Sequence, residues 1–235
     1  MTERRIGGGV RWILLLLAPG CTDTTVPGDT QRAALEAVYA SMDGDGWTVS
    51  DGWLTDAPIG DWHGVTVDAD GQVTKLDLQE NGVGGTIPEE IGELTSLVEL
   101  IFWNNEITGP IPAELGGLTQ LEVLDLDWND LTGEVPATLG SLENLEKLYF
   151  AKNRLTGPPP PSLGRLSSLT VLHLDCNDIA GAIPVEWTAL ALAEFHWTDT
   201  GLRVDDPAVQ RWLDTIPDQE SPTPCDVADG PKGAG

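Results

Sequence analysis

A block of 24 residues recurs five times along the 235-residue chain and constrains the fold more than any other feature. The blocks begin at Val73, Leu97, Leu121, Leu145 and Leu169, and each opens on a variant of the pattern L-x-x-L-x-L-x-x-N. A single block of this kind cannot bury its own apolar side chains, so successive blocks must stack on one another. We therefore predict an elongated solenoid. Its long one-sided surface favours a binding role.

Within each block, the pattern predicts a short strand followed by a turn. Apolar residues at the fourth and sixth positions, such as Leu124 and Leu126, alternate with variable residues, which is typical of a strand with one buried face. The ninth position is asparagine, whose amide can satisfy the backbone groups of adjacent coils where the strand ends. These structural asparagines are Asn81, Asn105, Asn129, Asn153 and Asn177. Glycine follows at the thirteenth position, where we expect a left-handed or closely approached backbone.

The second half of each block extends the pattern to L-T-G-x-I-P-x-x-L-G-x-L, with close copies at Leu131–Pro136 and Ile107–Pro112. This consensus closely resembles the plant-type leucine-rich-repeat family, and the copies stay in register over residues 73–192, about half of the chain. The resemblance implies an α/β repeat solenoid, a right-handed coil or horseshoe with short parallel strands on its concave face. Helical N- and C-terminal caps are expected to close it.

The segments beside the repeats are predicted to be those caps, because the end coils would otherwise expose their core. Residues 29–72 hold a helical pattern and a W-H-G-V motif, which resembles the cap of bacterial relatives of the plant-type repeats. Residues 193–216 predict a degenerate repeat, out of register by one residue, and a cap helix that starts near Pro207. Residues 217–235 predict a flexible tail.

The first 20 residues predict a secretory signal peptide. Three arginines precede an apolar run at Trp12–Ala18 that is too short to span a bilayer. The run ends in L-A-P-G-C, which resembles a bacterial lipobox and implies lipidation of Cys21, with residues 21–28 as a tether. The protein would then be an outer-membrane or cell-surface lipoprotein of the cell envelope, with its lipid as the only membrane contact. Without lipidation at Cys21 it would be secreted.

The formal net charge of −26 repels nucleic acid and anionic lipid headgroups and excludes both as partners. We expect a monomer. Two cysteines besides Cys21, Cys176 and Cys225, lie in the fifth repeat and in the tail. No spacing motif supports their pairing, so the sequence favours free thiols.

No catalytic motif is present, and we expect neither a cofactor nor a metal site. His173 lies beside Asp175 on an outward strand position, where an ordinary surface residue is the simpler interpretation than an acid–base pair. Asp125 and Asp127 point the same way about 7 Å apart. An open strand face offers no cleft that would raise a carboxyl pKa or exclude water, so we predict that the protein is not an enzyme.

Ligand contact is expected on the outward strand positions, where exposed aromatic residues beside carboxylates are typical of binding hot spots. The predicted binding residues are Trp103, Asp125, Asp127, Trp128, Tyr149, His173 and Asp175. A protein or peptide is the preferred partner. Two alternatives remain open, namely a carbohydrate-binding surface protein, since such residues suit sugar rings and hydroxyls, and a structural surface protein without a defined ligand.

Overall fold

The computed structural model describes residues 27–219 and residue 225. The predicted signal peptide, Cys21 and most of the tail lie outside this part of the chain. Within it, no helix has the length and apolar character needed to cross a membrane.

The repeats fold as the stacked coils of a solenoid, which confirms the predicted fold class. Each coil gives one short strand to a seven-stranded sheet of order β1-β2-β3-β5-β7-β9-β11, parallel throughout except that β1 pairs antiparallel with β2. In chain order the strands are β1 Val65–Val67, β2 Val73–Asp77, β3 Glu99–Ile101, β4 Thr108–Pro110, β5 Val123–Asp125, β6 Asp130–Glu134, β7 Lys147–Tyr149, β8 Arg154–Thr156, β9 Val171–His173, β10 Ala180–Ala182, β11 Glu194–His196 and β12 Gly201–Arg203.

The far side of each coil is a short 3-10 helix that follows the proline of the repeat. These helices span Glu89–Glu93, Ala113–Gly117, Ala137–Ser141, Pro161–Arg165 and Val185–Ala189. Between them and the large sheet run two smaller parallel sheets that the sequence did not predict, β4-β6-β8 and β10-β12. The repeat glycine makes this turn possible: Gly109 in β4 has a φ of 77°, and a Cβ there would lie 2.8 Å from Thr86 Cγ2.

The asparagines form a continuous hydrogen-bonded ladder along the strand ends. Asn129 is 8% exposed, and its Nδ2 donates to the carbonyl oxygens of Phe102 at 3.0 Å and Leu126 at 3.2 Å. Its Oδ1 accepts the backbone N–H of Ile107 at 3.1 Å. One side chain therefore satisfies backbone groups of two neighbouring coils, which would otherwise be buried without partners.

An aromatic cluster closes the N-terminal end. Helix α1, Pro27–Ser41, begins two residues before the predicted cap boundary. Behind it pack Trp47, Trp53 and Trp62, all 6% exposed or less, with ring centroids 4.9 Å apart for the first two and 5.0 Å for the last two. The indole N–H groups of Trp47 and Trp53 donate to Met42 O at 2.8 Å and to His63 O at 2.9 Å, whereas that of Trp62 is buried without a hydrogen-bond partner.

The C-terminal end is closed by helix α2, Pro207–Leu213, and by a returning tail. Asp206 caps the helix by accepting the N–H of Ala208 at 2.7 Å, and the Trp212 indole N–H donates to Leu190 O at 2.9 Å. After the helix, the chain turns back towards the sheet, where Asp218 bridges to Glu194 in parallel. Residues 217–219 are therefore part of the folded end and not of a loose tail.

A disulfide joins Cys176 to Cys225, with a Cα–Cα distance of 5.4 Å. The expectation of free thiols is wrong. The two cysteines are 49 positions apart, and the segment between them includes the degenerate repeat, the cap helix and the returning tail. Spacing alone does not give the path of such a segment, so the pairing was not visible in the sequence.

Candidate functional site

Outward side chains of the large sheet stand in a row along the solenoid. The register of the strands aligns the fifth position of every coil: Asp77, Ile101, Asp125, Tyr149, His173 and His196. Neighbouring strands lie about 4.8 Å apart, so each of these residues stands beside the next along the row. We call this outward surface the concave face.

The C-terminal end of the concave face holds a cluster of aromatic rings. The Tyr149 and His173 rings meet edge to face, with centroids 4.8 Å apart. The His173 and His196 rings stack, with centroids 4.1 Å apart and planes 19° apart. The sequence predicted Tyr149 and His173 as neighbours in a binding patch, whereas His196 was not singled out.

His173 is held between two carboxylates from other coils. Its Nε2 lies 2.7 Å from Glu194 Oε1, a hydrogen bond in which the ring nitrogen donates, and its Nδ1 lies 3.8 Å from Asp127 Oδ2. Burial alone would lower the pKa of His173, but the nearby carboxylate of Asp127 and the hydrogen-bonded carboxylate of Glu194 outweigh it and raise that pKa. His173 therefore lies at the outward strand position expected for it, but it is half-buried and paired with Asp127 and Glu194. The sequence placed Asp175 beside His173 in the exposed binding patch. Asp175 is in fact buried, at 3% exposure, and so does not belong to that patch.

His196 is the most buried member of this cluster, at 2% exposure. Its Nε2 lies 3.3 Å from Glu194 Oε1 and 3.4 Å from Asp218 Oδ1, yet neither approach has the geometry of a hydrogen bond. Glu194, His196 and Asp218 were all missed by the sequence analysis. The signal was present, because the one-residue shift of the degenerate repeat places Phe195 opposite Leu172 and hence His196 opposite His173.

Asp125 and Asp127 have raised pKa values although the face is open, which corrects the expectation for such a face. Burial, followed by the charge of Asp127, raises the pKa of Asp125 to about 7. Burial also raises the pKa of Asp127, against the opposing effect of His173. Asp127 does not project freely into solvent, since its Oδ1 accepts the backbone N–H of Ala151.

The two tryptophans of the predicted patch lie in different surroundings. Trp103 is half-buried in β3's coil, next to Asp127 of the following coil, whose carbonyl accepts the N–H of Asn104 at 3.0 Å. Trp128 has a left-handed backbone with φ of 56°, and its ring lies 4.1 Å from the Lys152 ammonium nitrogen in a cation–π contact. Trp128 thus belongs to the turn edge of the sheet and is already in contact with a cation.

At the N-terminal end of the concave face, one lysine lies between two carboxylates. Lys75 lies 3.0 Å from Glu99 Oε2 and 3.3 Å from Asp77 Oδ2. The hydrogen bond with Glu99 raises the pKa of Lys75 despite partial burial. Carboxylates at this end therefore share a cation, whereas the C-terminal end gathers Asp125, Asp127 and Glu194 around two imidazoles.

The repeats match the family model described as "Leucine Rich Repeat" at residues 72–94, 96–118, 120–142 and 144–166, and a second "Leucine Rich repeat" model at residues 165–182. No curated protein matches the chain.

Solved structures similar to this chain include ectodomains of plant receptor kinases. The ectodomain of the Arabidopsis thaliana receptor kinase GASSHO1/SCHENGEN3, in complex with CASPARIAN STRIP INTEGRITY FACTOR 2, is 33% identical over 74% of this chain, with a TM-score of 0.66. PEPR1–AtPEP1 is 30% identical over 75%, with a TM-score of 0.63. The Arabidopsis receptor kinase HAESA, in complex with the peptide hormone IDA and the co-receptor SERK1, is 27% identical over 74%, with a TM-score of 0.68. This chain spans only 21%, 27% and 30% of those three chains, respectively.

Proposed function

Because the chain is a leucine-rich-repeat protein of the plant type and not an enzyme, we propose that it is an exported binding module that recognises a protein or peptide through its concave face. The observation that carries this proposal is the row of side chains from Asp125 through Tyr149 to His173, which is continuous across three coils. Similarity to HAESA, which was solved with a peptide hormone, supports a peptide as the ligand.

The charge of the chain indicates what kind of peptide fits. The net charge is −26, and the C-terminal end of the concave face places Asp125, Asp127 and Glu194 within four neighbouring strands. A peptide with lysine or arginine side chains would pair with these carboxylates, and the half-buried rings of Trp103 and Tyr149 would pack against its apolar or cationic stems. We therefore propose a basic peptide segment as the ligand.

A peptide array tests this proposal. Peptides of graded positive charge are screened, and the strongest binder is titrated against Trp103→Ala and Tyr149→Ala. Each substitution should weaken binding by about 30-fold or more, because large aromatic residues in the middle of an interface carry most of the binding energy. Both variants should keep the melting temperature close to that of the parent protein, since neither ring belongs to the buried core.

Trp212→Ala is the matched control, since it removes the same kind of side chain from the C-terminal cap. Trp212 is 7% exposed and hydrogen-bonded, so its loss should lower the melting temperature while the folded fraction still binds peptide. Unchanged affinity in both outward variants would overturn the concave-face proposal. Binding on a glycan array and none on the peptide array would favour the carbohydrate alternative.

We also propose export followed by lipid anchoring at Cys21, on the strength of the basic and apolar N-terminal sequence and its L-A-P-G-C ending. Mass spectrometry of the native protein should find an acyl adduct on an N-terminal cysteine at this position. Cys21→Ala should release the protein into the medium. An unmodified mature protein that begins at another residue would contradict lipidation while leaving the binding proposal untouched.

A further inference from the structure

Three potential metal ligands from two adjacent strands converge at the C-terminal end of the concave face. His173 ends β9, and Glu194 and His196 begin and end β11. One nitrogen from each histidine and one oxygen from Glu194 all lie within 4.8 Å of one another. Imidazole and carboxylate donors in this number are a common ligand set for zinc and other divalent transition metals.

His196 supplies independent support, because its buried ring lacks an ordinary partner. It is 2% exposed, and neither of its ring nitrogens makes a hydrogen bond. A buried polar group without such a bond costs about 1–3 kcal/mol, so its persistence calls for a reason. Nε2 points between Glu194 Oε1 at 3.3 Å and Asp218 Oδ1 at 3.4 Å.

Those spacings suit a tetrahedral ion. Donors about 2.0–2.1 Å from a zinc ion lie about 3.3–3.5 Å from each other. Both distances around His196 Nε2 fall in this range. The contact of 2.7 Å between His173 Nε2 and Glu194 Oε1 is a direct hydrogen bond, which an ion would replace after a small side-chain rotation.

Residues around the three donors can complete and orient such a site. Asp218 offers a fourth oxygen from the returning tail, with a side chain that is 58% exposed and can move. Asp127 lies 3.8 Å from His173 Nδ1, the nitrogen that would remain free when Nε2 binds an ion. A carboxylate on the second nitrogen fixes the ring and makes it a stronger ligand.

We propose that His173, Glu194 and His196 bind a divalent transition metal ion, with zinc as the best fit, and that Asp218 is the fourth protein ligand. Asp127 is a positioning residue for His173. The site follows from the degenerate repeat: its one-residue shift sets His196 opposite His173, and the next turn of chain brings Asp218 to the same edge. The zinc site shares Asp127 and Glu194 with the carboxylates proposed to pair with a basic peptide, so it is tested with zinc alone and without peptide.

Zinc itself is the probe, added to the full chain purified without a histidine tag and treated with chelator. Calorimetric titration should show one strong site per chain, together with weaker association of zinc with the acidic surface. Glu194→Gln and His173→Asn should each weaken the strong site by about 100-fold or more, and Asp127→Asn should weaken it by about 10- to 100-fold. His63→Asn is the matched control, since it removes an exposed histidine of the N-terminal cap and should leave the strong site intact.

Zinc K-edge X-ray absorption on the unsubstituted protein supplies a readout that does not depend on the folding of any variant. At one equivalent of zinc, it should show a four-coordinate ion with two imidazole ligands. Fewer than two imidazoles, or the absence of a strong site, would overturn the proposal. So would full zinc affinity in folded Glu194→Gln and His173→Asn proteins, because the exposed carboxylates would then be the binders.

Discussion

The two ends of the concave face share one repeat framework but differ in how their charges are arranged. At the N-terminal end, Lys75 sits between Asp77 and Glu99 and offsets one of their two negative charges. At the C-terminal end, Asp125 and Asp127 gather near His173, and burial raises the pKa of both carboxyl groups. Both carboxylates of the first arrangement contact an ammonium group. In the second, Asp127 and Glu194 contact an imidazole, which is positively charged only when it is protonated, so an added cation is still favoured there. We therefore propose that ligand binding centres on the C-terminal end, where Asp125, Asp127 and Glu194 outnumber the two imidazoles.

The two caps that close the solenoid are also held together by different interactions. Packing of tryptophan rings around Trp53 closes the N-terminal end, whereas a disulfide and a returning tail close the C-terminal end. That tail also brings Asp218 to the edge of the concave face. The covalent link thus holds in place the segment that completes the histidine cluster, and the stability of the C-terminal end should depend on redox conditions.

The largest expected effect is that of disulfide reduction. Opening a link between residues 49 positions apart should lower the free energy of unfolding by about 4 kcal/mol if chain entropy dominates. Urea unfolding with and without reductant measures this effect. The Cys176→Ser/Cys225→Ser double variant should unfold like the reduced protein and show no response to reductant. Identical unfolding midpoints for the oxidised and reduced protein would remove the distinction between the two caps.

The asparagine ladder should be equally important at both ends. Asn105 near the N-terminal end donates to Leu78 O at 2.8 Å, and Asn153 nearer the C-terminal end donates to Leu126 O at 2.8 Å. Alanine at either position leaves carbonyl and N–H groups without partners and should cost about 2–4 kcal/mol in unfolding free energy. Urea melts of the two variants measure it. A large loss at one end only would show that the framework itself differs between the ends.

A smaller, pH-dependent effect should separate Asp125 from Asp77, which occupy the same repeat position. The pKa of Asp125 is raised from 3.8 to about 7, so its ionised form is disfavoured in the folded protein. Its contribution to the free energy of unfolding is therefore most favourable below the pKa of the unfolded chain, and it is lost as the pH rises from about 4 to 7. Asp125→Asn removes this loss and keeps an oxygen for the N–H of Asp127, which Asp125 accepts at 3.1 Å. It should therefore stabilise the protein by at least about 1 kcal/mol at pH 8 and have little effect at pH 4.

Asp77→Asn is the control, because it weakens a partly exposed ion pair with Lys75 and should destabilise by less than about 1 kcal/mol at pH 8. Both variants are compared by urea unfolding at the two pH values. Equal effects at pH 8 would mean that the two ends of the face do not differ in charge compensation.

What the sequence predicted and what it missed divide along the two faces of each strand. Inward residues such as Asn129 repeat with a fixed period. Their contacts can therefore be predicted by stacking one coil on an identical neighbouring coil. Outward residues vary, and their properties arise from pairs across coils: Asp125 owes its raised pKa to burial beside Asp127 and other outward groups. To predict the position of His196, the one-residue shift of the sixth coil has to be applied to the pairing of β11 with β9, which sets His196 opposite His173.

The disulfide and the two smaller sheets were missed for a related reason. Cys225 reaches Cys176 only because the tail turns back after the cap helix, and nothing in the local pattern specifies that direction. The strands β4 and β6 contain the repeat glycines Gly109 and Gly133, and β8 ends one residue before Gly157, so the local composition indicates a turn and not a sheet. Stacking of identical turns, and not strand propensity, aligns their backbone groups.

Hydroxyl-radical footprinting tests the central claim, ligand binding by the concave face, most directly. The full chain is oxidised with and without the strongest basic peptide from the array, and side-chain oxidation is read by mass spectrometry. Bound peptide should protect Trp103 and Tyr149, while Leu54, which is 55% exposed in the N-terminal cap, should be oxidised equally in both samples. Unchanged oxidation of Trp103 and Tyr149 in the bound protein would contradict the account.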